Sequence, residues 1–517
     1  MPARVRQLLT RHGWLVAIAF AYLYVFPYYP RIQSANELPR IYLVKAIVHD
    51  HSFAIDRGVR QWGSTADVSP YGGHQYSNKA PGSSLLVVPV YAAVNLVAGE
   101  PSLAVTMWLC RIVAGAIPAL LFLILLWGFL ARFAPEPAVR RLVVIAYALG
   151  SMAMTYTLLY YSHQLAAICI ASAWMLSVDV VEAKRGRLAM LAAGALAGAA
   201  PLVDYQAAFA GVPVAVYLIV ALARSRRPRE IAQLLGLAAA GAAIPIALLL
   251  WYHAQCFGSP LRTGYDASQT WAVFHQQGFL GITKLRSEAF WGSLFAADNG
   301  LLALSPWLVL AIPGAVLLWR RRTLGDRPTV LVGTSVALIF IAFVSSITFW
   351  RGGWGVGPRY IVAMLPFVLP LVAVALSWAH ARQRSAASPW LAPLWTGVAC
   401  GTIVSAVAIY TLTAATFPYW PDSLKNPLYE VTFRLLGDGA VAPNLLRGAL
   451  GGLSIIPFLA VVGVLLGWAM VGAVGWRALA IACVVGAAIL GAFAFVPGTG
   501  PHADRAYVRT VLPAVTR

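Results

Sequence analysis

"SSLLVVPVYAAVNLVA" occupies residues 83–98, and whether this stretch crosses a membrane sets the side of every loop that follows it. It falls short of the roughly 20 apolar residues that a helix needs to cross about 30 Å of hydrocarbon. If it crossed, Arg132, Arg140 and Arg141 would land outside, and every later basic connector would change sides with them. Read instead as a juxtamembrane or re-entrant helix, it leaves the basic clusters together on one side. These are Arg132, Arg140 and Arg141; Lys184, Arg185 and Arg187; "RSRRPR" at 224–229; "RRR" at 320–322; and Arg382 with Arg384. That is the pattern by which short cytoplasmic loops retain Lys and Arg.

The rest of the chain agrees. Its 517 residues are 60% hydrophobic and 11% charged, far below the roughly 25% charged of soluble domains. Apolar runs recur near 14–30, 103–131, 142–160, 163–181, 187–203, 206–223, 231–253, 300–319, 329–350, 360–380, 390–412, 450–472 and 477–497. The sequence therefore reads as an all-α polytopic membrane protein with about 13 transmembrane helices. It forms one integral domain, 1–517, with the amino terminus cytoplasmic and the carboxyl terminus extracytoplasmic. The first run follows Arg4, Arg6 and Arg11 but has no small-residue cleavage site, so it reads as an uncleaved span. The net charge of +20 follows from the cytoplasmic connectors and calls for no nucleic acid. Cys110, Cys169, Cys256, Cys400 and Cys483 show no paired spacing.

All the long loops fall outside: 31–82, 254–299, 413–449 and the tail from 498, and most Asp and Glu residues go with them. A transporter typically buries ionisable groups near the bilayer midplane. Here only Arg111 lies well inside a span, with Asp204 at an outer helix junction. An outward-facing cavity roofed by loops fits better than a pathway through the membrane.

The first outer loop begins "RIQSANELPR" (31–40). Residues 34–50 read as a helix along the membrane surface, with Leu38, Ile41, Val44 and Val48 on its apolar face. Ser34 and Glu37 match a capping box, but a Ser34 cap would place Pro39 too far into the helix. Asn36 as cap keeps Pro39 in the first turn and puts Glu37 at the positive end of the helix dipole, where a carboxylate stays ionised. Glu37 is thus a candidate general base or else a surface ion pair, with Asn36 and Arg40 beside it, Glu37 and Arg40 sharing a face. Farther on, "YGGHQYSNKAPGSSLLVVPVY" (71–91) carries His74, Tyr76 and Lys79 as candidate substrate ligands. Lys79 suits a phosphate or snorkels to lipid head groups. His51, His74 and His163 also face outward, as lone histidines without metal-site spacing.

The "NE" pair after the first span, "YSNKAPGSSLLVVPVY", "DNGLLALSPWLVLAIPG" (298–314) and "WRGGWGVGPRYIVAMLPF" (350–367) resemble the GT-C membrane glycosyltransferases. The likeness is to the bacterial branch related to lipid A aminoarabinose transferases and protein O-mannosyltransferases. It runs through about 14–380, implying a GT-C-like catalytic bundle with the outer loop 31–82, followed by the carboxyl-terminal helices and tail of 381–517. In that family an Asp-Glu pair opens the first outer loop and its aspartate is the usual base; this chain has Asn36-Glu37. The family's "EKPP"-like segment corresponds to "NKAP", which carries Lys79 over as a phosphate ligand.

The resemblance implies an inverting transfer of sugar from a polyprenyl-phosphate donor to a lipid, glycan or protein acceptor, on the extracytoplasmic face of the inner membrane; the absence of metal-like spacing among the histidines adds the expectation of no metal and no cofactor. Such a reaction needs a base for the acceptor hydroxyl and cations for the departing phosphate. Glu37 is the expected base. Lys79, Arg359 in "GPRY" with its neighbour Tyr360, Arg351 and Arg262 are the expected phosphate ligands, although Arg359 beside Tyr360 also fits an interfacial anchor. The rival readings are a lipid or oligosaccharide flippase and a non-catalytic scaffold of the same ancestry.

Overall fold

The computed structural model describes residues 3–32, 34–321, 325–385 and 391–516, with side chains from 12 to 383 and from 392 to 516 within those ranges. Arg322 and the side chains of Arg4, Arg6, Arg11 and Arg384 lie outside the described residues.

Helix α1 (Ala3–Tyr24) runs into an extended segment. The expected span to residue 30 stops earlier because Pro27 and Pro30 remove backbone donors. Next come α2 (Leu38–His49), α3 (Asp56–Trp62), a two-stranded antiparallel hairpin of β1 (Val68–Tyr71) and β2 (His74–Ser77), and α4 (Gly82–Ala98). Val68 pairs with Ser77 and Tyr71 with His74, so Gly72 and Gly73, both at positive φ, make the turn.

The remaining chain is a bundle of apolar helices. Among the described residues, eight are long and apolar enough to cross a membrane, or nine if Pro137–Leu149 and Met152–Leu158, bent by 55°, form one span. His12–Tyr24 and Leu188–Val203 are shorter apolar helices. The expected run at 300–319 is broken into Leu301–Leu304, a 3-10 turn at Pro306–Leu310 and Ala311–Arg321. The last two expected runs are two helices within Ile456–Ala492 that meet at Gly475, whose φ of 78° and ψ of 167° are not helical.

The segment at 83–98 forms α4, an apolar helix shorter than the candidate spans. Gly82 packs directly against the Leu202 carbonyl, where an added Cβ would sit 2.7 Å from that oxygen. At the other end Glu100 accepts from Lys45 Nζ of α2 at 3.0 Å. Both ends of α4 are thus fastened to neighbouring elements. Leu86, Val90, Leu96 and Val97 remain exposed, as an apolar face against lipid would be.

The long loops gather at the same end of the bundle. Phe26 N–H donates to the Pro443 carbonyl at 2.6 Å, the Tyr29 hydroxyl to Thr416 O at 2.6 Å, and Ser69 Oγ to Gly264 O at 2.7 Å. The basic connectors meet at the other end, where Arg132 pairs with Asp179 and Glu182, and Arg226 reaches the Val180 carbonyl. The first three basic connectors and the long loops thus fall at opposite ends of the packed helices.

Candidate active site

Two cavities open among the gathered loops, of 410 and 430 Å³. Residues 28–32 and 34–37 stand between them: Tyr28, Tyr29 and Glu37 line the first, Arg31, Ala35 and Asn36 the second, and Ile32, Ser34 and, from another loop, Tyr419 touch both.

Helix α2 is not a surface helix. Every residue from Leu38 to Ala46 is buried, because α3 and α4 cover the side expected to meet water. Its cap is Glu37 rather than Asn36, and no side chain caps it. The capping box does not form either, since Ser34 Oγ has no hydrogen-bond partner.

Glu37 and Arg40 diverge. The Glu37 carboxylate is fully buried and faces the first cavity. Its Oε1 accepts from Arg111 Nε (3.1 Å), Arg111 Nη2 (2.9 Å) and the Tyr160 N–H (2.6 Å). Its Oε2 accepts from the Tyr419 hydroxyl (2.6 Å) and Arg111 Nη2 (3.2 Å). Arg111 also donates to Tyr419 Oη at 2.7 Å and to the Pro27 carbonyl at 3.2 Å. A π-helical turn, Ile112–Ala116, follows Arg111 and lets Gly115 press against the Thr157 carbonyl, where a Cβ would lie 2.4 Å from the oxygen. This network ties the first loop to two spans and the 413–449 loop. Both carboxylate oxygens are committed to donors.

The second cavity holds Asn36, Arg40, Lys79, Arg359 and Tyr360 from the expected set, together with Asp67, Tyr161, His163, Asp204, Tyr265 and His275. Arg40 Nη2 donates to Ser162 Oγ at 2.7 Å and Nη1 to the Asn36 carbonyl at 2.5 Å, while its Nε is buried without a partner. Lys79 Nζ meets Asp67 Oδ2 at 3.0 Å and lies 5.6 Å from the centre of the Tyr265 ring. Burial lowers the Lys79 ammonium to about 8, with Arg40 and Arg359 pushing the same way and Asp67 opposing. Asp67 is held in turn by Trp271 Nε1 at 3.0 Å. Burial and the Lys79 charge bring His275 down to about 4, so it is neutral at physiological pH.

Arg359 starts the 3-10 turn Arg359–Met364. Gly352 (φ 75°) makes room for it: a Cβ there would stand 2.8 Å from Arg359 Nε. The guanidinium is 7% exposed, lies 5.3 Å from the Tyr161 ring centre and 5.5 Å from that of Tyr360, and its Nε has no hydrogen-bond partner. Among the described residues no carboxylate forms an ion pair with it. A buried cation without a counter-charge is costly unless an anion fills the site.

His74, Tyr76, Arg262 and Arg351 stand elsewhere. His74 is exposed and pairs with Asp56 at 2.7 Å; Tyr76 packs edge-on to Phe257. Arg262 donates to Tyr71 Oη at 3.0 Å on the surface, and Arg351 is spent on Asp298. Sequence reading passed over Asp67 and set His163 aside as solitary. Nothing in linear spacing joins His163 to Asp204, or Asp67 to Lys79. Arg111 carried a usable signal, because a charge inside a span demands a partner. Among the described residues no group of three or more His, Cys, Asp or Glu side chains could hold a metal ion.

No protein-family model matches the sequence, and no curated protein matches it. Solved structures do. ArnT from Cupriavidus metallidurans in the apo state superposes with a TM-score of 0.53 at 15% identity, covering 95% of this chain and 78% of that one. The same protein bound to undecaprenyl phosphate gives 0.44 at 16% identity, covering 95% and 79%. The archaeal oligosaccharyltransferase AglB from Archaeoglobus fulgidus, in complex with an inhibitory peptide and a dolichol-phosphate, gives 0.44 at 12%, covering 96% of this chain and 57% of that one. The likeness to apo ArnT shows that this chain has the GT-C fold which the sequence resemblance implied.

Proposed function

We propose that the protein transfers a sugar from a polyprenyl-phosphate carrier to a hydroxyl group of a lipid, glycan or protein on the extracytoplasmic face of the bacterial inner membrane. Its amino terminus is cytoplasmic and its carboxyl terminus outside. The observation that carries this reading is the convergence of three buried cations, Arg40, Lys79 and Arg359, on one cavity, with Arg359 lacking an ion-pair partner among the described residues.

A sugar phosphate breaks its anomeric C–O bond when charge building on the departing phosphate is stabilised. Fixed cations in a water-poor site do this at little reorganisation cost. Arg359 and Arg40 offer planar arrays of donors, and Lys79 a mobile point charge. Displacement by the acceptor oxygen from the opposite face inverts the anomeric centre. Tyr161, Tyr265 and Tyr360 supply flat walls of a size suited to a sugar ring.

The expected base, Glu37, does not fit this role. Its two oxygens accept from Arg111, Tyr160 and Tyr419, and it opens on the other cavity. Glu37 is the counter-ion that fixes Arg111 and, through the backbone, the entry of α2. His74, Tyr76, Arg262 and Arg351 are likewise left out of the phosphate site.

The test is transfer of a labelled sugar from polyprenyl phosphate by the purified protein in lipid nanodiscs, with an envelope extract supplying acceptors. New glycosidic product from the parent and none from Arg359→Gln supports the proposal. Movement of labelled carrier across a liposome bilayer with no new glycosidic bond would establish the flippase reading instead. Neither product nor movement would leave a scaffold.

A further inference from the structure

We propose that His163, oriented by Asp204, is the general base that takes the proton from the acceptor hydroxyl. This rests on the sugar-transfer reading above and assigns the role that Asn36 and Glu37 leave open.

The chain delivers the two side chains from opposite directions. His163 lies in the first turn of Ser162–Val181, one short helix (Met152–Leu158) beyond the break at Gly150 that bends that helix from Pro137–Leu149. Ser305 Oγ and Trp307 Nε1 donate to the Gly150 carbonyl freed at that break, at 3.3 and 2.7 Å. Asp204 stands in extended backbone between Leu188–Val203 and the turn Tyr205–Ala207. Their side chains meet with Nδ1 2.5 Å from Oδ2, and Gln206 Nε2 donates to the same oxygen at 3.2 Å.

Nδ1 also lies 3.0 Å from Gln206 Nε2, but the shorter contact is with the carboxylate. An Nδ1–H donated to ionised Asp204 leaves Nε2 as the lone-pair nitrogen. Nε2 is buried and has no hydrogen-bond partner, in a residue that is 6% exposed and lines the cavity of the cations. A buried, unpaired acceptor in a polar cavity is what an incoming hydroxyl would satisfy.

The His163 ring shares its tyrosine neighbours and its cavity with the proposed phosphate ligands. The His163 ring lies edge-on to Tyr360 and Tyr161, with centroids 6.0 and 6.2 Å away. Those are the two rings over which Arg359 sits. Arg40 reaches Ser162, the preceding residue, and Ser162 Oγ is 3.5 Å from Asp204 Oδ2. In the reaction the acceptor O–H proton passes to Nε2 and the acceptor oxygen bonds to the anomeric carbon. The anomeric C–O bond breaks with its electron pair on the phosphate, which Arg40, Lys79 and Arg359 hold. The imidazolium, stabilised by Asp204, later releases its proton to water. His163 is the catalytic residue here, and Asp204 a positioning residue.

The test compares parent, His163→Ala, His163→Gln, Asp204→Asn, Asp204→Glu and Asp67→Asn in nanodiscs, measuring binding of polyprenyl phosphate and transfer of sugar separately. General-base catalysis contributes about 10²- to 10⁴-fold. Both His163 variants should lose that much kcat while keeping lipid-phosphate binding within about threefold, a margin of well under 1 kcal/mol. Added imidazole should restore part of the His163→Ala rate and none of the His163→Gln rate. Asp204→Asn should lower kcat with binding kept, and Asp204→Glu should recover part of it. Transfer at the parental rate by both His163 variants, or loss of catalysis confined to Asp67→Asn, would overturn the dyad and leave the sugar-transfer reading intact. Failure of the parent itself to transfer sugar would overturn both.

Discussion

Glu37→Gln separates a structural carboxylate from a catalytic one. Glu37 is fully buried and its partner Arg111 is 3% exposed, so the substitution leaves a guanidinium in the interior with no counter-charge. Breaking a buried pair from one side costs about 3–5 kcal/mol. At about 1.36 kcal/mol per decade this is roughly two to almost four powers of ten in the folding equilibrium. The amide also presents a second donor toward Arg111 Nη2 and the Tyr419 hydroxyl, which now donate to Oε2. Removing both charges in Glu37→Met/Arg111→Met should recover much of the loss, because apolar replacement of a buried ion pair is often near neutral. Denaturation by SDS in mixed micelles reads the stability of parent, both single variants and the double variant, and sugar transfer is measured on the folded fraction. A strong positive coupling between the sites is expected, with transfer by folded Glu37→Gln within about tenfold of the parent, a barrier change of no more than about 1.4 kcal/mol. A Glu37→Gln protein as stable as the parent but unable to transfer sugar would refute the reasoning and return Glu37 to the chemistry.

The parental affinity for polyprenyl phosphate should be flat below pH 8 and weaken above it. Lys79 carries its charge only below about 8, and phosphate binding to the ammonium must take up a proton at higher pH. Lys79→Met should bind more weakly and without that dependence; equilibrium binding between pH 6.5 and 9.5 checks both. Asp67→Asn removes the carboxylate that opposes the depression of Lys79, so the alkaline fall should begin at lower pH in the same titration. Gly264→Ala should cost lipid-phosphate binding while the bundle stays folded by circular dichroism, because its Cβ would sit 2.4 Å from Asn78 Cα, beside Lys79.

The fold was largely legible because hydropathy and the placement of Lys and Arg are properties of the linear chain. The stretch at 83–98 stood out by its length, and it does form a separate helix shorter than the candidate spans. Breaks inside spans were harder to see. The turn at Pro306–Leu310 lies inside an apolar run, and the break at Gly150, whose carbonyl accepts from Trp307 Nε1, lies inside another, so neither interrupts the hydropathy. The burial of α2 was missed because its Arg40 and Lys45 suggested water. Lys45 instead donates to Tyr91, Glu100 and the Pro101 carbonyl from the interior.

The site was half legible for a related reason. Lys79 and Arg359 stood out as cations in glycine- and proline-rich loops. A helical face was expected to hold Glu37 beside Arg40, yet the cap places Glu37 toward Arg111 and Arg40 toward Ser162. His163 and Asp204 come together across 41 residues, a separation over which a single sequence carries no pairing signal.

The account stands on a lipid-borne phosphate meeting buried cations, and equilibrium binding of polyprenyl phosphate against the uncharged polyprenol tests this most directly. Hydrogen bonds to charged groups are each worth about 1.5–3 kcal/mol. The parent should therefore prefer the phosphate by at least about a hundredfold, and Arg359→Gln should lose about 10- to 150-fold of that affinity, with polyprenol binding unchanged. Equal binding of the two lipids by the parent, or a phosphate affinity indifferent to Arg359→Gln, would contradict it.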